Sequence, residues 1–234
     1  MEIATAVEKH APRETGLQRL ARHIRDFFAA FARVLLLAGA LSLILLAALL
    51  TLDLPLRLFD PLFMGADSLR PSNWLTQGGA IMAAAPFAAI LIARRFGGEE
   101  ANRAVTAAWA LTAFAVFAEL SYLAPVLEEG DLPSARFMVA FVATAMAAQY
   151  MAVNVYDVAR GGGDWWRAPL FASIGAFATY GILYFPWVYI GKGVPWANWM
   201  VTDFGIHMIM TGAFFPVYWS LRKRLRPRGG YGGI

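Results

Sequence analysis

Four polar side chains occur within otherwise apolar stretches of the sequence: Gln149, Tyr180, Asp203 and His207. Asp203 and His207 are four residues apart, so a helix places both on one face. A carboxylate beside an imidazole supplies a charge or a proton-responsive pair, and an amide and a phenol offer hydrogen bonds to a flat polar ligand. We therefore predict a central polar pocket that binds a ligand through these four residues.

The same residues also have a structural interpretation. Asp203 and His207 could bond only to each other, and this alternative stays open. For Gln149 we favour a functional role, because a lone amide within a membrane span needs partners and lowers stability without them. Among the aromatic residues, only Tyr184 and Trp187 are expected near enough to the centre to stack on a purine-like ligand. The other tryptophans are typical of the aromatic belts at span ends.

The elements that must position these residues are membrane-spanning helices. Hydrophobic residues make up 59% of the 234-residue chain and charged residues only 15%, which is far more apolar than an ordinary globular domain. A transmembrane helix needs about 20 predominantly apolar residues. Six segments meet this requirement: Val34–Leu52, Trp74–Ala93, Val105–Val126, Met138–Val155, Ala168–Ile190 and Trp196–Leu221. We predict an all-α, polytopic membrane protein, a bundle of six transmembrane helices over residues 34–221.

Basic residues predict the orientation of this bundle. If the N-terminus is inside, all but four of the 20 Arg and Lys residues fall in cytoplasmic segments, the exceptions being Arg57, Arg70, Arg136 and Lys192. The positive-inside rule therefore favours both termini in the cytoplasm, as in a bacterial-type inner membrane. Residues 222–234 then form a basic, Gly-rich cytoplasmic tail.

The cytoplasmic N-terminal segment, residues 1–33, contains an amphipathic pattern. Thr15 and Gln18 have the spacing of a capping box at a helix start. The apolar residues that follow share one helical face: Leu17, Leu20, Ala21, Ile24, Phe27, Phe28 and Phe31. Arg19, Arg22 and Arg25 lie on the other face. This pattern is typical of a helix on the cytoplasmic leaflet, although an extension of the first span remains an open alternative.

Several polar residues of the spans are expected outside the pocket. Glu119 lies in the outer half of the third span, where we expect it to face the external headgroups. Tyr150 and Asn154 lie nearer the cytoplasmic end of the fourth span, where we expect hydrogen bonds between helices.

Other chemistries are disfavoured by residues that the sequence lacks. The chain has no cysteine, which excludes disulfides and thiolate metal sites. It has no Gly-rich phosphate loop, nucleophile elbow or paired-histidine metal motif. We therefore predict neither an enzyme nor a cofactor or metal, and no nucleic-acid partner. The expected partners are the lipid bilayer and either a small solute or a larger membrane complex, and a homo-oligomer stays open.

Four sequence motifs occur in a familiar order over most of residues 74–224. They are A-R-R-F-G-G-E-E-A-N-R from Ala93, Q-Y-M-A-V-N-V-Y-D-V-A-R from Gln149, W-W-R-A-P-L from Trp165, and P-W-A-N-W-M-V-T-D-F-G-I-H-M in the last span. In this order and spacing the chain resembles the VUT family, the queuosine precursor transporters. The resemblance implies a carrier fold of six helices.

The chain departs from the family at several polar positions. Family carboxylates, and a lysine after the last-span aspartate, are replaced by Ile90, Ala152, the pair Tyr180-Gly181 and His207. Only Gln149 and Asp203 match the family's polar set. Without the other carboxylates a cationic deazapurine loses its counter-ions, so the resemblance implies either a less basic ligand or a loss of transport.

Two functions follow as hypotheses. The leading one is a divergent VUT-like transporter of a small planar, nucleobase-like solute, which works by alternating access around the central pocket. The alternative is an accessory or structural subunit of a larger inner-membrane complex, with the N-terminal helix and the polar external loop as docking surfaces. The surviving Gln149 and Asp203 favour the transporter, and the missing carboxylates favour the subunit.

Overall fold

The computed structural model describes residues 15–126, 132–161 and 163–227. The helices in these ranges are α1 (Gly16–Leu50), α2 (Gln77–Met82), α3 (Ala84–Phe96), α4 (Gly98–Leu123), α5 (Ala135–Ala159), α6 (Arg167–Tyr189) and α7 (Trp196–Leu221). Helices α2 and α3 are separated only by Ala83 and together form one span. Six helical segments are therefore long and apolar enough to cross a membrane. This confirms, for the described residues, an all-helical architecture with the predicted number of candidate membrane-spanning helices.

Helix α1 joins two segments that the sequence analysis treated separately. The capping box is confirmed at its start, where the Gln18 backbone N–H donates to Thr15 Oγ1 at 3.3 Å and the Thr15 N–H donates to Gln18 Oε1 at 3.0 Å. The helix then continues unbroken for 35 residues, and its first buried side chain is Ala38. The interfacial position of its first half stays a prediction. Residues 1–14 of the predicted N-terminal segment and 228–234 of the predicted tail lie outside the described residues.

A glycine permits the close packing of α1 against α2. A Cβ atom at Gly78 would overlap the backbone carbonyl oxygen of Ala48 and lie 2.9 Å from the Leu52 Cα. Because both neighbours are backbone atoms, only glycine fits at this contact. The second span is thereby held against the first at the end that carries the loop between them.

The loop between α1 and α2, residues 51–76, is tied to itself and to the last helix. Asp60 Oδ1 accepts a hydrogen bond from the Ser72 N–H at 3.0 Å, and Trp199 Nε1 donates to the Ser68 carbonyl at 2.8 Å. Slight burial acts to raise the pKa of the Asp60 carboxyl, but the Ser72 hydrogen bonds and the Arg70 charge outweigh it and lower that pKa. The loop therefore covers one end of the bundle and contacts α7.

The opposite end of the bundle carries most of the described basic side chains, and we call it the basic end. Here Arg33 of α1 pairs with Glu100 of α4 at 3.2 Å. Arg94 of α3 donates to the Tyr218 hydroxyl at 3.3 Å and to the Arg222 carbonyl at 2.9 Å. These contacts join α1 to α4 and α3 to α7.

Two further contacts complete the basic end. The Tyr156 and Tyr218 hydroxyls, from α5 and α7, lie 2.9 Å apart. Asp157 Oδ1 accepts from the Gly98 N–H at 2.9 Å and thereby caps the start of α4. A Cβ at Gly98 would lie only 2.7 Å from Asp157 Cγ, so this cap also depends on a glycine.

Many of the buried residues where the helices pack are alanines. Fully buried alanines include Ala38, Ala85, Ala89, Ala93, Ala101, Ala104, Ala108, Ala140, Ala152, Ala172 and Ala176. Small side chains let helix backbones approach closely, which is how membrane helices gain packing energy.

Hydrogen bonds between α4 and α5 add to this packing. Asn102 Nδ2 donates to Asn154 Oδ1 at 3.0 Å, and the Thr106 and Tyr150 hydroxyls lie 2.7 Å apart. The prediction that Tyr150 and Asn154 join helices is confirmed. Glu119 is exposed on α4, while its contact with headgroups stays a prediction.

Candidate functional site

The carboxylate and the imidazole of α7 form a buried pair. His207 Nδ1 lies 3.1 Å from Asp203 Oδ2 and 2.9 Å from the Asp203 carbonyl oxygen. Both side chains are almost completely buried. The predicted shared face is therefore confirmed, and the two groups do bond each other. Because Nδ1 is engaged within α7, Nε2 on the opposite edge of the ring is the imidazole atom that can serve a ligand.

Aromatic rings from α6 surround this pair. The Phe177 ring stacks on His207 at a centroid distance of 4.4 Å and an interplanar angle of 28°. The Tyr180 ring lies 6.2 Å from His207 and stacks on Tyr184 at 4.9 Å. The structure thus brings Tyr180 together with Asp203 and His207, as predicted.

A small cavity lies at this cluster. Its walls come from α2, α3, α5, α6 and α7 and from the residue that separates α2 from α3: Gly79, Met82, Ala83, Pro86, Ala145, Ala148, Phe177, Tyr180 and His207. Its volume is about 20 Å³, which suits a single water molecule. A planar solute therefore enters only if the surrounding helices move apart.

Gln149 differs from the other three predicted residues. Its side chain is fully buried, and neither Oε1 nor Nε2 has a hydrogen-bond partner among the described residues. It lies on α5 beside Ala148, which lines the cavity, but it is not itself a lining residue. A buried polar group without a partner costs about 1–3 kcal/mol. Within the described residues, the Gln149 amide therefore contributes no hydrogen bond to the fold.

Sequence reasoning missed one residue of the site and overrated another. Phe177 was not predicted, although it precedes Tyr180 by one helical turn and that spacing was a usable signal. Of the two predicted stacking residues, Tyr184 is buried against Tyr180. Trp187 is 44% exposed, and its carbonyl accepts from Arg136 Nε at 2.8 Å. We therefore place Tyr184 beside the site and Trp187 outside it.

Comparison with known proteins finds no family model, no curated protein and no solved structure that matches this chain. The resemblance to the VUT family therefore stays a prediction that depends on the four motifs. No group of three or more His, Asp or Glu side chains that could hold a metal occurs in the described ranges. The chemistry that the site offers is hydrogen bonding, one carboxylate–imidazole pair and aromatic stacking.

Proposed function

We propose that this chain is a membrane carrier for a small planar, nucleobase-like solute, a divergent relative of the VUT transporters. In this proposal it lies in a bacterial-type inner membrane with both ends in the cytoplasm. The solute-binding residues are Gln149, Tyr180, Asp203 and His207. The observation that supports the proposal most is the buried Gln149 amide, because both of its polar atoms lack a hydrogen-bond partner among the described residues and its helix contributes Ala145 and Ala148 to the cavity wall.

The cavity, at about 20 Å³, is too small for a planar solute, so transport would require the helices around it to move apart. On one side, Arg94 and Tyr218 hold α3 against α7 at the basic end. On the other side, Trp199 binds the Ser68 carbonyl of the loop and packs edge-on against Tyr189 at 5.2 Å. Alternating access would open these two closures one at a time around a fixed central site.

The charges of the site favour a neutral or weakly basic solute. Asp203 is the one carboxylate of the cluster, and His207 already binds one of its oxygens. A strongly cationic solute would have to displace that contact. A neutral heteroaromatic ring instead exchanges hydrogen bonds with the amide and the imidazole, and it stacks on the Phe177 and Tyr180 rings.

Uptake measurements test this proposal. The chain would be expressed in a strain that lacks its own nucleobase and deazapurine transporters and assayed with a panel of radiolabelled purines and deazapurines that includes alkylated members. We expect uptake of at least one compound, and we expect Asp203→Asn to reduce it by about tenfold or more, since a hydrogen bond to a charged group contributes about 1.5–3 kcal/mol.

The matched control for this assay is Asp53→Asn, the same substitution at an exposed loop position. It should transport as the parent chain does, at equal levels of protein in the membrane. Absence of uptake for the whole panel, or equal uptake by the two variants, would contradict the proposal.

The exposed half of α1 supports a second candidate, an accessory subunit of a larger membrane complex. Leu17, Phe27 and Phe28 are all more than half exposed. The Phe27 ring packs edge-on against Phe28 and stacks on Phe31, both residues of its own helix. Such an apolar face packs on a membrane surface or on another protein, and the second of these would make the chain a subunit of a complex.

Purification in mild detergent decides this second candidate. An accessory subunit copurifies with a stoichiometric partner, and Phe28→Lys releases that partner while His23→Ala on the polar face retains it. Recovery of the chain alone, or only as a homo-oligomer, would exclude the accessory role.

A further inference from the structure

A second, larger space lies between α6 and α7. It is a groove with a volume of about 220 Å³ that is lined by Phe177, Ala178, Gly181, Ile182, Met200, Val201 and Phe204. At its mouth, Ile182 is 62% and Val201 is 67% exposed on the outside of the bundle. In a six-span protein this lateral surface faces hydrocarbon. The groove therefore opens sideways into the bilayer.

The groove and the central cavity share one lining residue. Phe177 lines both spaces and is 3% exposed. Its ring stacks on His207 and packs edge-on against Phe87 at 5.5 Å. Phe177 is therefore the point at which the apolar groove and the polar cluster meet.

Small residues of α6 create the space. A Cβ at Gly181 would lie 3.3 Å from Met200 Cγ, so the Met200 side chain packs directly on α6 there. One turn away, Ala178 leaves the groove open. The side chains that line the groove have no nitrogen or oxygen atom. A polar occupant would therefore lose its hydration without compensation. The lining therefore favours a hydrocarbon group over a polar group.

We propose that the α6–α7 groove is an apolar subsite and side entrance of the central site, so that the ligand is amphiphilic. Its polar heteroaromatic head binds at Tyr180 and His207, and its hydrocarbon part lies between α6 and α7. The ligand then enters from the bilayer, past Phe177. This inference rests on the proposed carrier function, and it narrows the solute to one that partitions into membranes.

Photolabelling with two probes tests the subsite. Both probes are purines with an octyl chain, one with a diazirine at the end of the chain and the other with a diazirine on the purine ring. The protein would be irradiated in phospholipid vesicles and the labelled residues mapped by mass spectrometry. We expect the chain probe to label Met200 or Phe204 and the ring probe to label Tyr180 or His207, both in competition with unlabelled octylpurine.

A substitution that fills the groove provides the critical comparison. Ala178→Leu should reduce groove labelling about tenfold, the loss expected when about two methylene groups are excluded from an apolar site. Ala213→Leu is the matched control, because Ala213 is exposed on α7 and does not line the groove. Val201→Trp fills the groove from its mouth and gives a second test if Ala178→Leu expresses poorly.

The outcomes separate the two proposals. Ring labelling at Tyr180 or His207 with no chain labelling in the groove would overturn the subsite and leave the carrier intact. Chain labelling that a diazirine fatty acid reproduces and octylpurine does not displace would show a general lipid site, which also overturns the subsite. Absence of ring labelling at the central cluster would count against both the subsite and the carrier.

Discussion

The basic end and the centre of the bundle use buried polar groups in opposite ways. At the basic end, polar side chains join helices that are far apart in sequence, as in the pair Arg33–Glu100 and the contact between Arg94 and Tyr218. At the centre, Asp203 and His207 bond within a single helix, and Gln149 bonds to nothing that the structure describes. Polar groups that join helices are explained by the stability that they give to the fold. The unpaired Gln149 amide costs stability, and we infer that it is kept for a ligand.

The largest loss of stability is expected at Glu100, a polar residue that joins two helices. Its side chain is 5% exposed and binds Arg33 across two helices, whereas the neighbouring Glu99 side chain is 81% exposed. Glu100→Ala should lower the free energy of unfolding by about 3 kcal/mol, because it removes one partner of a buried ion pair. Glu99→Ala should change it by less than about 0.5 kcal/mol. Unfolding in mixed detergent micelles measures the free energy of unfolding of both variants. Equal losses would show that the Arg33–Glu100 pair does not stabilise the fold.

A second, smaller effect is expected at Arg94. Arg94→Ala removes hydrogen bonds to the Tyr218 hydroxyl and the Arg222 carbonyl, which should cost about 2 kcal/mol. Arg95→Ala removes the same charge one residue further on, where the guanidinium binds the Arg226 carbonyl at an exposed site. We expect that control to cost less than about 1 kcal/mol. A thermal melt in which Arg95→Ala is the less stable variant would contradict the account.

A third effect is expected at the tyrosine that Arg94 contacts. Tyr218→Phe deletes one hydroxyl that bridges Arg94 and Tyr156, so a loss of about 1 kcal/mol is expected. Tyr122→Phe is the matched control at an exposed position and should be neutral. The same unfolding assay applies, and a neutral Tyr218→Phe would show that the bridge contributes nothing to stability.

Much of the fold could be predicted because hydropathy and span length are local properties. The last helix begins and ends at the predicted residues, Trp196 and Leu221. The continuity of α1 also had a local signal, since residues 17–50 contain no proline and only Gly39 as a glycine. The division of the second span at Ala83 follows from Pro86, whose ring nitrogen cannot donate to the carbonyl one turn earlier.

The site was predictable only where its geometry is local. The spacing of Asp203 and His207 fixes their contact within one helix, and the pair was found. The contact of Arg94 with Tyr218 joins residues 124 positions apart, and no pattern in a single sequence encodes it. The position of Gln149 beside the cavity, but outside its lining, likewise depends on how α5 rotates against its neighbours, which hydropathy does not specify.

If the polar groups of the bundle centre serve a ligand and not the fold, Gln149→Leu should abolish transport without destabilising the protein. The free energy of unfolding of this variant would be measured beside the parent chain and Glu100→Ala. We predict that it equals or exceeds that of the parent, because an apolar side chain of similar volume replaces an unpaired amide, while nucleobase uptake is lost. A loss of stability as large as that of Glu100→Ala would show that Gln149 supports the fold, and it would contradict the account.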